Sequence, residues 1–209
     1  MNSLFLVLRK SYSRTEQIEF WRWQPTSKVL IVYGTRYGAT ASTSEEIATV
    51  LRQEGLEVRV VNAKQEKVKD ITGYDIILVG SGIQINKWTS EPEKFLDKFQ
   101  KELARKKVAL FVSSGYASQI YKENPEKIAN AKSKYLDEKA ANYHLQPVAF
   151  GFFGGVYDYN QIPWWIKRVM DAERPKIAAV CKETQLGVYD TRDWNPIRTW
   201  AKELAQKIR

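Results

Sequence analysis

From Lys28 onward, the chain alternates between short continuous apolar runs and longer stretches in which apolar residues recur every three or four positions. The runs are typical of buried parallel strands, and the longer stretches are typical of amphipathic helices. This alternation predicts a doubly wound α/β domain, in which ligands bind at the carboxyl ends of the strands. We predict five strands, over 28–33, 57–61, 75–80, 108–112 and 147–153.

The predicted helices carry recognisable end signals. The first helix begins near Ser42 and is closed by Gly55, a residue suited to a C-cap. The second begins at Ser90-Glu91-Pro92-Glu93, which combines a capping box with a proline in the first turn. A third begins at Asn124-Pro125 and runs to about Ala140, and the last covers about 195–208. Their predicted inward-facing residues are Ile47, Val50, Leu51, Phe95, Leu96, Phe99, Leu103, Trp200 and Leu204.

Residues 154–194 exceed what a five-strand domain needs, and we treat them as an insert after the fifth strand. Within the insert, apolar residues with helical spacing predict an amphipathic helix begun by Pro163, with Asp171 on its polar side. A helix that covers one face of the sheet explains this apolar stripe. Its members are Ile162, Trp165, Ile166, Val169 and Met170.

Residues 1–27 differ in character from the rest of the chain. Residues 4–8 form an apolar run that is short for a signal peptide, and the charges follow the run rather than precede it. The next segment has no clear periodicity and contains Phe20, Trp21 and Trp23. Two interpretations stay open: an arm that packs on the domain or touches a membrane interface, or an artefact of an upstream start site or of cloning. We divide the chain into an N-terminal extension, 1–27, and one domain, 28–209.

Composition supports a single globular domain in a reducing compartment. Hydrophobic residues make up 44% of the 209 residues and charged residues 27%, which is too apolar for a disordered chain. The lone cysteine, Cys181, excludes an intrachain disulfide and a cysteine-based metal cluster. Because His144 is the only histidine, we expect no metal site. A cytoplasmic location fits these counts.

The net charge of +9 indicates a surface that attracts anions. Candidates are a phosphorylated cofactor, a carboxylate substrate, an acidic protein and an anionic membrane surface. Basic residues are scattered among acidic ones, so we expect no nucleic-acid partner. No stretch approaches the length needed to span a bilayer, so any membrane contact is expected to be peripheral, at the inner face.

A turn rich in hydroxyl-bearing and small residues joins the first strand to the first helix. Such a turn directs free backbone N–H groups and the positive end of the helix dipole at one point. Thr35 and Thr40 add side-chain donors, and Gly38 permits close backbone approach. The turn lacks the glycine pattern of dinucleotide sites and the Gly-Lys-Ser/Thr triplet of triphosphate loops, which favours a phosphate monoester. An ordinary connection with a Ser/Thr-rich cap has the same sequence features, so both interpretations stay open.

The segment Thr35-Arg36-Tyr37-Gly38-Ala39-Thr40 resembles the flavodoxin phosphate loop, with tyrosine in place of the middle threonine. Its Thr-Arg-x-Gly-x-Thr form is more similar to the menaquinone-dependent protoporphyrinogen dehydrogenase branch of flavodoxin-like proteins. Further similar stretches are Tyr74-Asp75 through Ser81-Gly82-Ile83, Tyr157-Asp158-Tyr159 through Met170, and Asp190-Thr191-Arg192-Asp193-Trp194. The resemblance covers roughly 28–209. It implies a flavodoxin-like parallel sheet with strand order 2-1-3-4-5 and an insert after strand 5.

The resemblance also implies a flavin mononucleotide (FMN) site made by three loops. The first loop would wrap the phosphate, with Arg36 either as a charge partner or facing solvent: Thr35, Arg36, Tyr37, Gly38, Ala39 and Thr40. The second would lie along the flavin ring: Ser81, Gly82, Ile83, Gln84, Ile85, Asn86, Lys87 and Trp88. The third would edge the ring: Ser113, Ser114, Gly115 and Tyr116.

Within these loops, the resemblance assigns individual roles. A peptide at Gly82 would face the flavin N5, and Asn86 and Lys87 would donate to ring oxygens. Trp88 or Tyr116 would stack on the ring, although tryptophan is also a frequent packing residue. A flavin transfers hydride or single electrons through its own ring, so no separate catalytic residues are expected.

Three functions follow from the resemblance. The first is an enzyme that oxidises a protoporphyrinogen-like tetrapyrrole and passes electrons to a quinone. In it, insert residues would meet the macrocycle, its carboxylates or lipid: Tyr157, Tyr159, Trp164, Trp165, Lys167 and Arg168. The second is a non-catalytic electron carrier that docks to redox proteins through weak electrostatic contacts. The third is a flavin-dependent reductase of quinones.

Overall fold

The structure, a computed structural model, describes residues 27–208. The expectations placed on the N-terminal extension, including those for Phe20, Trp21 and Trp23, lie outside the described residues. The strands are β1 (Lys28–Gly34), β2 (Glu57–Asn62), β3 (Ile76–Gln84), β4 (Lys87–Trp88), β5 (Lys107–Ser113), β6 (Ala149–Phe153), β7 (Val156–Asp158), β8 (Lys182–Gln185) and β9 (Val188–Asp190). The α-helices are α1 (Ala39–Gln53), α2 (Ser90–Leu103), α3 (Pro125–Lys132), α4 (Glu138–Asn142), α5 (Trp164–Met170), α6 (Arg174–Val180) and α7 (Trp194–Ile208).

A parallel sheet with the order β2-β1-β3-β5-β6 forms the centre of the fold. The two-residue strand β4 pairs antiparallel with the end of β3 and lies off this path. Without β4, the order is the predicted 2-1-3-4-5, so the doubly wound flavodoxin-like α/β fold is confirmed. Most of β1, β3 and β5 is fully buried, as expected of parallel strands that helices cover on both faces.

Alternate residues of each strand face opposite sides, so every strand contributes to two hydrophobic cores. On one side, Leu30 and Val32 pack with residues of α2, α3 and α4. On the other side, Val29 and Ile31 pack with residues of α1 and α7. Of the predicted inward-facing residues, Trp200 is half-buried and its indole N–H donates to the Phe150 carbonyl at 2.9 Å. The others are buried, as predicted: Ile47, Val50, Leu51, Phe95, Leu96, Phe99, Leu103 and Leu204.

Three helices differ from the sequence-based predictions. Helix α1 begins at Ala39 rather than near Ser42. The N-cap of α2 is Thr89 rather than Ser90, and its hydroxyl lies 3.0 Å from the Ser81 hydroxyl instead of capping the helix. The third predicted helix begins as expected, with the Asn124 side chain accepting from the Lys127 N–H. It is then interrupted by a π-helical turn, Ser133–Asp137, before α4. Periodicity alone does not report such a turn because apolar spacing changes by only one residue.

The insert forms a small unit with its own apolar cluster. Strands β7, β9 and β8 make a separate antiparallel sheet in that order, and Tyr159, Ile177 and Tyr189 are buried beside it. The sequence predicted α5 but neither this sheet nor α6. Every residue of β8 is exposed, so no alternation of burial marked it as a strand.

The apolar stripe of α5 does not cover the central sheet as expected. Ile162 and Met170 pack against the cluster of the insert instead, and Trp165 is 53% exposed. The side chains of Ile166 and Val169 lie outside the described residues. The helix is therefore part of the insert, and its tryptophans face outward.

The centre of the sheet offers a test of this packing. A Cβ built on Gly80 of β3 would lie 2.1 Å from Cζ of Phe111, whose ring fills the space beside the glycine. We expect Gly80→Ala to lower the free energy of unfolding by about 2–3 kcal/mol in urea titrations, because the core is overpacked. Gly73→Ala, where a Cβ meets nothing within 4 Å, should change it by less than about 0.5 kcal/mol. Equal effects of the two substitutions would contradict the packing.

Candidate functional site

A cleft of about 270 Å³ lies at the carboxyl ends of β1, β3 and β5. The three predicted loops line it, and the insert forms its fourth side. Loop residues on its wall are Thr35, Arg36, Tyr37, Ala39, Thr40, Gly82, Ile83, Gln84, Ile85, Asn86, Ser113, Ser114, Gly115 and Tyr116. Insert and helix-connection residues on its wall are Tyr121, Gly155, Val156, Tyr157, Asp158, Ile162 and Met170.

The loop after β1 bends sharply into α1. Gly38 is the N-cap of α1 with φ 84, a left-handed conformation that glycine adopts without strain. Its N–H donates to the Thr35 hydroxyl at 3.0 Å, which fixes the turn. Arg36 is exposed on the cleft wall, where its guanidinium is accessible to an anion. Gly38 shapes this loop but does not itself line the cleft.

Unpaired hydroxyl groups mark the floor of the cleft. Among the described residues, the buried side-chain oxygens without a hydrogen-bond partner are Thr40 Oγ1, Thr43 Oγ1 and Ser113 Oγ, and the first and last belong to cleft-lining residues. Burying a hydroxyl unpaired costs about 1–3 kcal/mol, a cost that a bound acceptor offsets. A Cβ on Gly82 would lie 3.2 Å from Thr40 Oγ1, so glycine keeps the space beside that hydroxyl open. The residues present therefore fit a ligand with anionic oxygens near Thr40.

The loop after β3 is a strained two-residue turn. Ile85 and Asn86 have φ values of 48° and 58°, the positive pair that a type I′ hairpin turn requires. A β-branched residue rarely adopts this conformation, which costs on the order of 1–3 kcal/mol. The Gln84 amide donates to the Tyr37 hydroxyl at 3.0 Å and joins this turn to the loop after β1. The strain therefore lies on the rim of the cleft.

Three residues of the predicted second loop do not line the cleft. Trp88 is 5% exposed in the core, and its indole N–H donates to the Tyr135 carbonyl at 2.9 Å. It pairs with Ile83 across the hairpin, on the side that packs against the helices, so it is not placed to stack on a ligand. Ser81 is buried and bonds to Thr89, and Lys87 is exposed away from the cleft wall.

The loop after β5 packs tightly against the insert. A Cβ on Gly115 would lie 1.9 Å from the Tyr157 hydroxyl oxygen, so a larger residue there would displace the Tyr157 side chain. The Ser114 hydroxyl accepts from the Tyr116 N–H at 3.3 Å. Tyr116 packs its ring against Tyr121, with ring centroids 4.9 Å apart. Two tyrosine rings thus form one wall of the cleft.

Burial keeps Tyr121 and Tyr157 of the cleft wall, and Tyr135 beside the cleft, protonated. Burial raises the pKa of Tyr157 well above its ordinary value and raises the pKa of Tyr135 to about 12. Burial likewise raises the pKa of Tyr121. These hydroxyls therefore remain neutral hydrogen-bond donors across the physiological pH range.

The insert residues predicted to contact a substrate or a membrane occupy different environments. Tyr157 lines the cleft, whereas Tyr159 is buried, with its hydroxyl donating to the Met170 carbonyl at 3.1 Å and its ring edge-on to Tyr189. Tyr159 is therefore a packing residue, which corrects the expectation for it. On α5, Trp164 is 77% exposed and Trp165 53% exposed.

Lys167 and Arg168 of α5 are also exposed. We call Trp164, Trp165, Lys167 and Arg168 the aromatic-basic patch. Ile162, in the turn before α5, and Met170, at the end of α5, line the cleft, so the patch lies next to the cleft. Within residues 27–208, no helix has the length and apolar character needed to cross a bilayer.

Arg192 connects the end of the insert to the start of α1. Its guanidinium forms a two-point ion pair with Asp190, with Nη2 to Oδ2 at 2.6 Å and Nε to Oδ1 at 2.9 Å. It also donates to the Ala39 carbonyl at 3.1 Å and to the Ser42 hydroxyl. The guanidinium carbon lies 4.4 Å from the centroid of the Trp194 ring. The fork geometry of arginine allows one side chain to hold all these partners.

Sequence reasoning missed part of the cleft wall. Tyr121 lies in a 3₁₀ turn, Gln119–Tyr121, which carries no periodic signal. The pair Gly154-Gly155 directly after β6 was an available turn signal, and Gly155 lines the cleft. The remaining missed residues, Val156, Asp158, Ile162 and Met170, reach the cleft only because the insert folds back over it.

The comparisons with known proteins agree with this fold. A family model described as a flavodoxin domain matches residues 30–178. The protoporphyrinogen IX dehydrogenase (quinone) of Escherichia coli is 24% identical over 182 residues, 85% of this chain and 94% of that protein. A flavodoxin of Clostridium beijerinckii is 30% identical over 88 residues, 41% of this chain and 64% of that protein.

Solved structures support the fold. An archaeal flavodoxin superimposes with a TM-score of 0.51 at 19% identity, over 87% of this chain and 98% of that one. The rubredoxin oxygen:oxidoreductase of Desulfovibrio gigas superimposes with a TM-score of 0.52 at 16% identity, over 93% of this chain. The chain spans 39% of the length of that oxidoreductase.

The connection through Arg192 can be tested by truncation. We expect Arg192→Ala to lower the free energy of unfolding by about 2–3 kcal/mol, because the largely buried Asp190 carboxylate loses its cation. Arg198→Ala breaks a more exposed ion pair, between Arg198 of α7 and Glu46 of α1. It should lower the free energy of unfolding by less than about 1 kcal/mol. Urea titrations of both variants measure the difference. Losses of the same size would show that the Arg192 contacts add nothing beyond a surface ion pair.

Proposed function

Because the chain belongs to the flavodoxin domain family, we propose that it is an FMN-binding oxidoreductase whose cofactor lies in the cleft at the ends of β1, β3 and β5. The proposal takes residues 28–209 as the cofactor-binding domain and 1–27 as an extension. The observation that carries it is the buried, unpaired hydroxyl of Thr40 at the start of α1. A phosphate group supplies the acceptor that this hydroxyl lacks.

The residues of the cleft divide between the two ends of FMN. Thr35, Arg36, Thr40 and the backbone N–H groups around Gly38 would hold the phosphate, at the positive end of the α1 dipole. Residues 82–86 and 113–116 would lie along the ring, and Tyr116, whose ring lines the cleft, would pack on it. When bound, FMN supplies hydride or single-electron transfer through its own ring, while the protein binds it and controls access.

We propose further that the electron donor is a protoporphyrinogen-like tetrapyrrole and that the acceptor is a quinone. The 24% identical Escherichia coli protein, which matches over 85% of this chain, carries that activity in its name. Tyr157, Ile162 and Met170 would form an apolar entrance beside the ring. Lys167 and Arg168 of the aromatic-basic patch supply cations for carboxylate groups.

The same patch is suited to peripheral contact with a membrane, where a quinone dissolves. Exposed tryptophans beside basic residues are typical of helices that lie at a lipid interface, and the net charge of +9 favours an anionic surface. In this proposal, the protein works in the cytoplasm, at the inner face of the membrane. The cleft would then open towards the source of its acceptor.

A second function, a non-catalytic electron carrier, is favoured by one observation. The flavodoxin of Clostridium beijerinckii is 30% identical over 88 residues of this chain, and the basic surface suits acidic redox partners. A carrier needs the FMN site but not the insert as an entrance. The two functions therefore make different demands on the aromatic-basic patch.

Two buried threonines test the cofactor site. We expect Thr40→Val to weaken FMN binding by about 10- to 100-fold, because a hydrogen bond to a charged phosphate is lost. The same substitution should leave the stability of the apoprotein unchanged or higher, since it removes an unpaired buried hydroxyl. Thr43→Val is the control, because Thr43 also has an unpaired buried hydroxyl but does not line the cleft.

Fluorescence titration of FMN with apoprotein measures the affinity, and urea titration measures the stability. Thr43→Val should share the stability effect and keep the affinity. If Thr40→Val bound FMN as tightly as the wild type, the proposed hydrogen bond between the Thr40 hydroxyl and the phosphate would be refuted. A wild-type chain that binds no FMN would refute the proposal as a whole.

Turnover separates the enzyme from the carrier. We expect the FMN-loaded protein to oxidise protoporphyrinogen with a menaquinone analogue as acceptor, as followed by porphyrin fluorescence. The double variant Trp164→Ala/Trp165→Ala should lower kcat/KM about tenfold or more with its FMN absorbance unchanged, because it removes exposed apolar contact area. Leu186→Ala, at an exposed turn away from the cleft, should keep wild-type kinetics. Absence of turnover, together with fast one-electron exchange with a ferredoxin-type partner, would establish the carrier instead.

A further inference from the structure

Tyr135 holds the turn after β3 from outside the three loops of the cleft. It lies in the π-helical turn Ser133–Asp137, and its side chain is 3% exposed. Its hydroxyl donates to Asn86 Oδ1 at 2.7 Å, across a separation of 49 residues in the sequence. Asn86 lines the cleft, whereas Tyr135 does not. A helix on one face of the sheet thus reaches the site through one hydrogen bond.

The main chain of Tyr135 forms a second link to the same hairpin. Its carbonyl accepts the indole N–H of Trp88 at 2.9 Å. In a π-helical turn the backbone bonds span one residue more than in an α-helix, so the local pattern shifts and a side-chain donor can engage a carbonyl there. The hydroxyl and the carbonyl of one residue therefore hold the two ends of the segment 86–88.

This segment needs external support because its turn is strained. Both Ile85 and Asn86 have positive φ, and Ile85 is β-branched and 62% exposed, so packing of its side chain contributes little to holding the turn. Strained backbone persists where the surroundings over-determine it. Three hydrogen bonds hold this turn in place: the two from Tyr135 and, on the other side, the bond between Gln84 and Tyr37.

The hydrogen bond also fixes which end of the Asn86 amide is free. The Tyr135 hydroxyl donates to Asn86 Oδ1, and burial, which raises the pKa of Tyr135 to about 12, keeps the proton that this bond needs. Because Oδ1 faces Tyr135, the two amide N–H groups are the donors that Asn86 can offer to a ligand. A flipped amide would instead offer an acceptor to the same ligand.

We propose that Tyr135 is a positioning residue of the cofactor site, which holds Asn86 so that its amide N–H groups donate to the ligand in the cleft. The inference rests on the proposed function, because the ligand it invokes is FMN. Tyr135 acts only through Asn86 and touches no ligand itself. Its ring, which packs 6.4 Å from the Tyr116 ring centroid, has a separate structural role that phenylalanine would keep.

Tyr135→Phe tests this role by removing only the hydroxyl. We expect the dissociation constant for FMN, measured by fluorescence titration of the apoprotein, to rise roughly two- to tenfold, the range for one hydrogen bond. Tyr143→Phe is the matched control, since Tyr143 follows α4 directly and its hydroxyl lies beside Asp97, away from the cleft. It should leave the dissociation constant unchanged.

A double-mutant cycle distinguishes positioning from general structural support. In an Asn86→Ala background, Tyr135→Phe should have no further effect on FMN affinity, because the group that Tyr135 positions is already absent. In the apoprotein, the side-chain amide signals of Asn86 in a nitrogen–proton correlation spectrum should shift in Tyr135→Phe and stay in place in Tyr143→Phe. This second measurement does not depend on any cofactor.

These measurements distinguish failure of the positioning role from failure of the proposed function. If wild-type protein binds FMN and Tyr135→Phe binds it equally well, the positioning role is overturned and the proposed function stands. An effect of the same size in the Asn86→Ala background also overturns it, since the hydroxyl then acts by another route. If wild-type protein binds no FMN, the proposed function fails, and the positioning role for that ligand fails with it.

Discussion

The parallel pairing of β1 with β3 is the interaction on which the rest of the structure depends. The two strands lie side by side in register from Val29 and Ile76 to Gly34 and Ser81. Their onward connections then separate, because α1 packs on one face of the sheet and α2 on the other. A crevice must open where the chains diverge, and the loops after β1 and β3 form its walls. The position of the cleft follows from topology before any side chain is considered.

Features that are unfavourable for folding are concentrated in that crevice. The unpaired hydroxyls of Thr40 and Ser113 and the positive φ of Ile85 are each unfavourable in the chain by itself. The flanking sheet is fully buried over most of β1 and β3, so it is stable enough to hold them. Such a distribution is typical of binding sites, where a ligand supplies the missing partners.

Local periodicity was sufficient for the strands and the doubly wound class, and the resemblance to flavodoxin-like proteins supplied the strand order and the loops that form most of the cleft wall. The sequence was insufficient where a side chain is placed by a distant partner. Trp88 bonds to Tyr135, 47 residues away, and no local pattern shows that its ring points into the core. The expectation that Tyr159 contacts a substrate or lipid differs from the structure for the same reason, since a separate apolar cluster in the insert buries this residue. The polar strand β8 had no alternation that could have revealed it.

The contact between Gly115 and Tyr157 has a consequence for how such a chain changes in evolution. The tyrosine hydroxyl occupies the space that any larger residue at position 115 would need. A shorter connection in place of this insert would free that space and lift the constraint on position 115. A larger residue at position 115 would instead force Tyr157, and with it the insert, away from the loop after β5. Exchanging inserts between related chains would therefore require a matching residue in this loop.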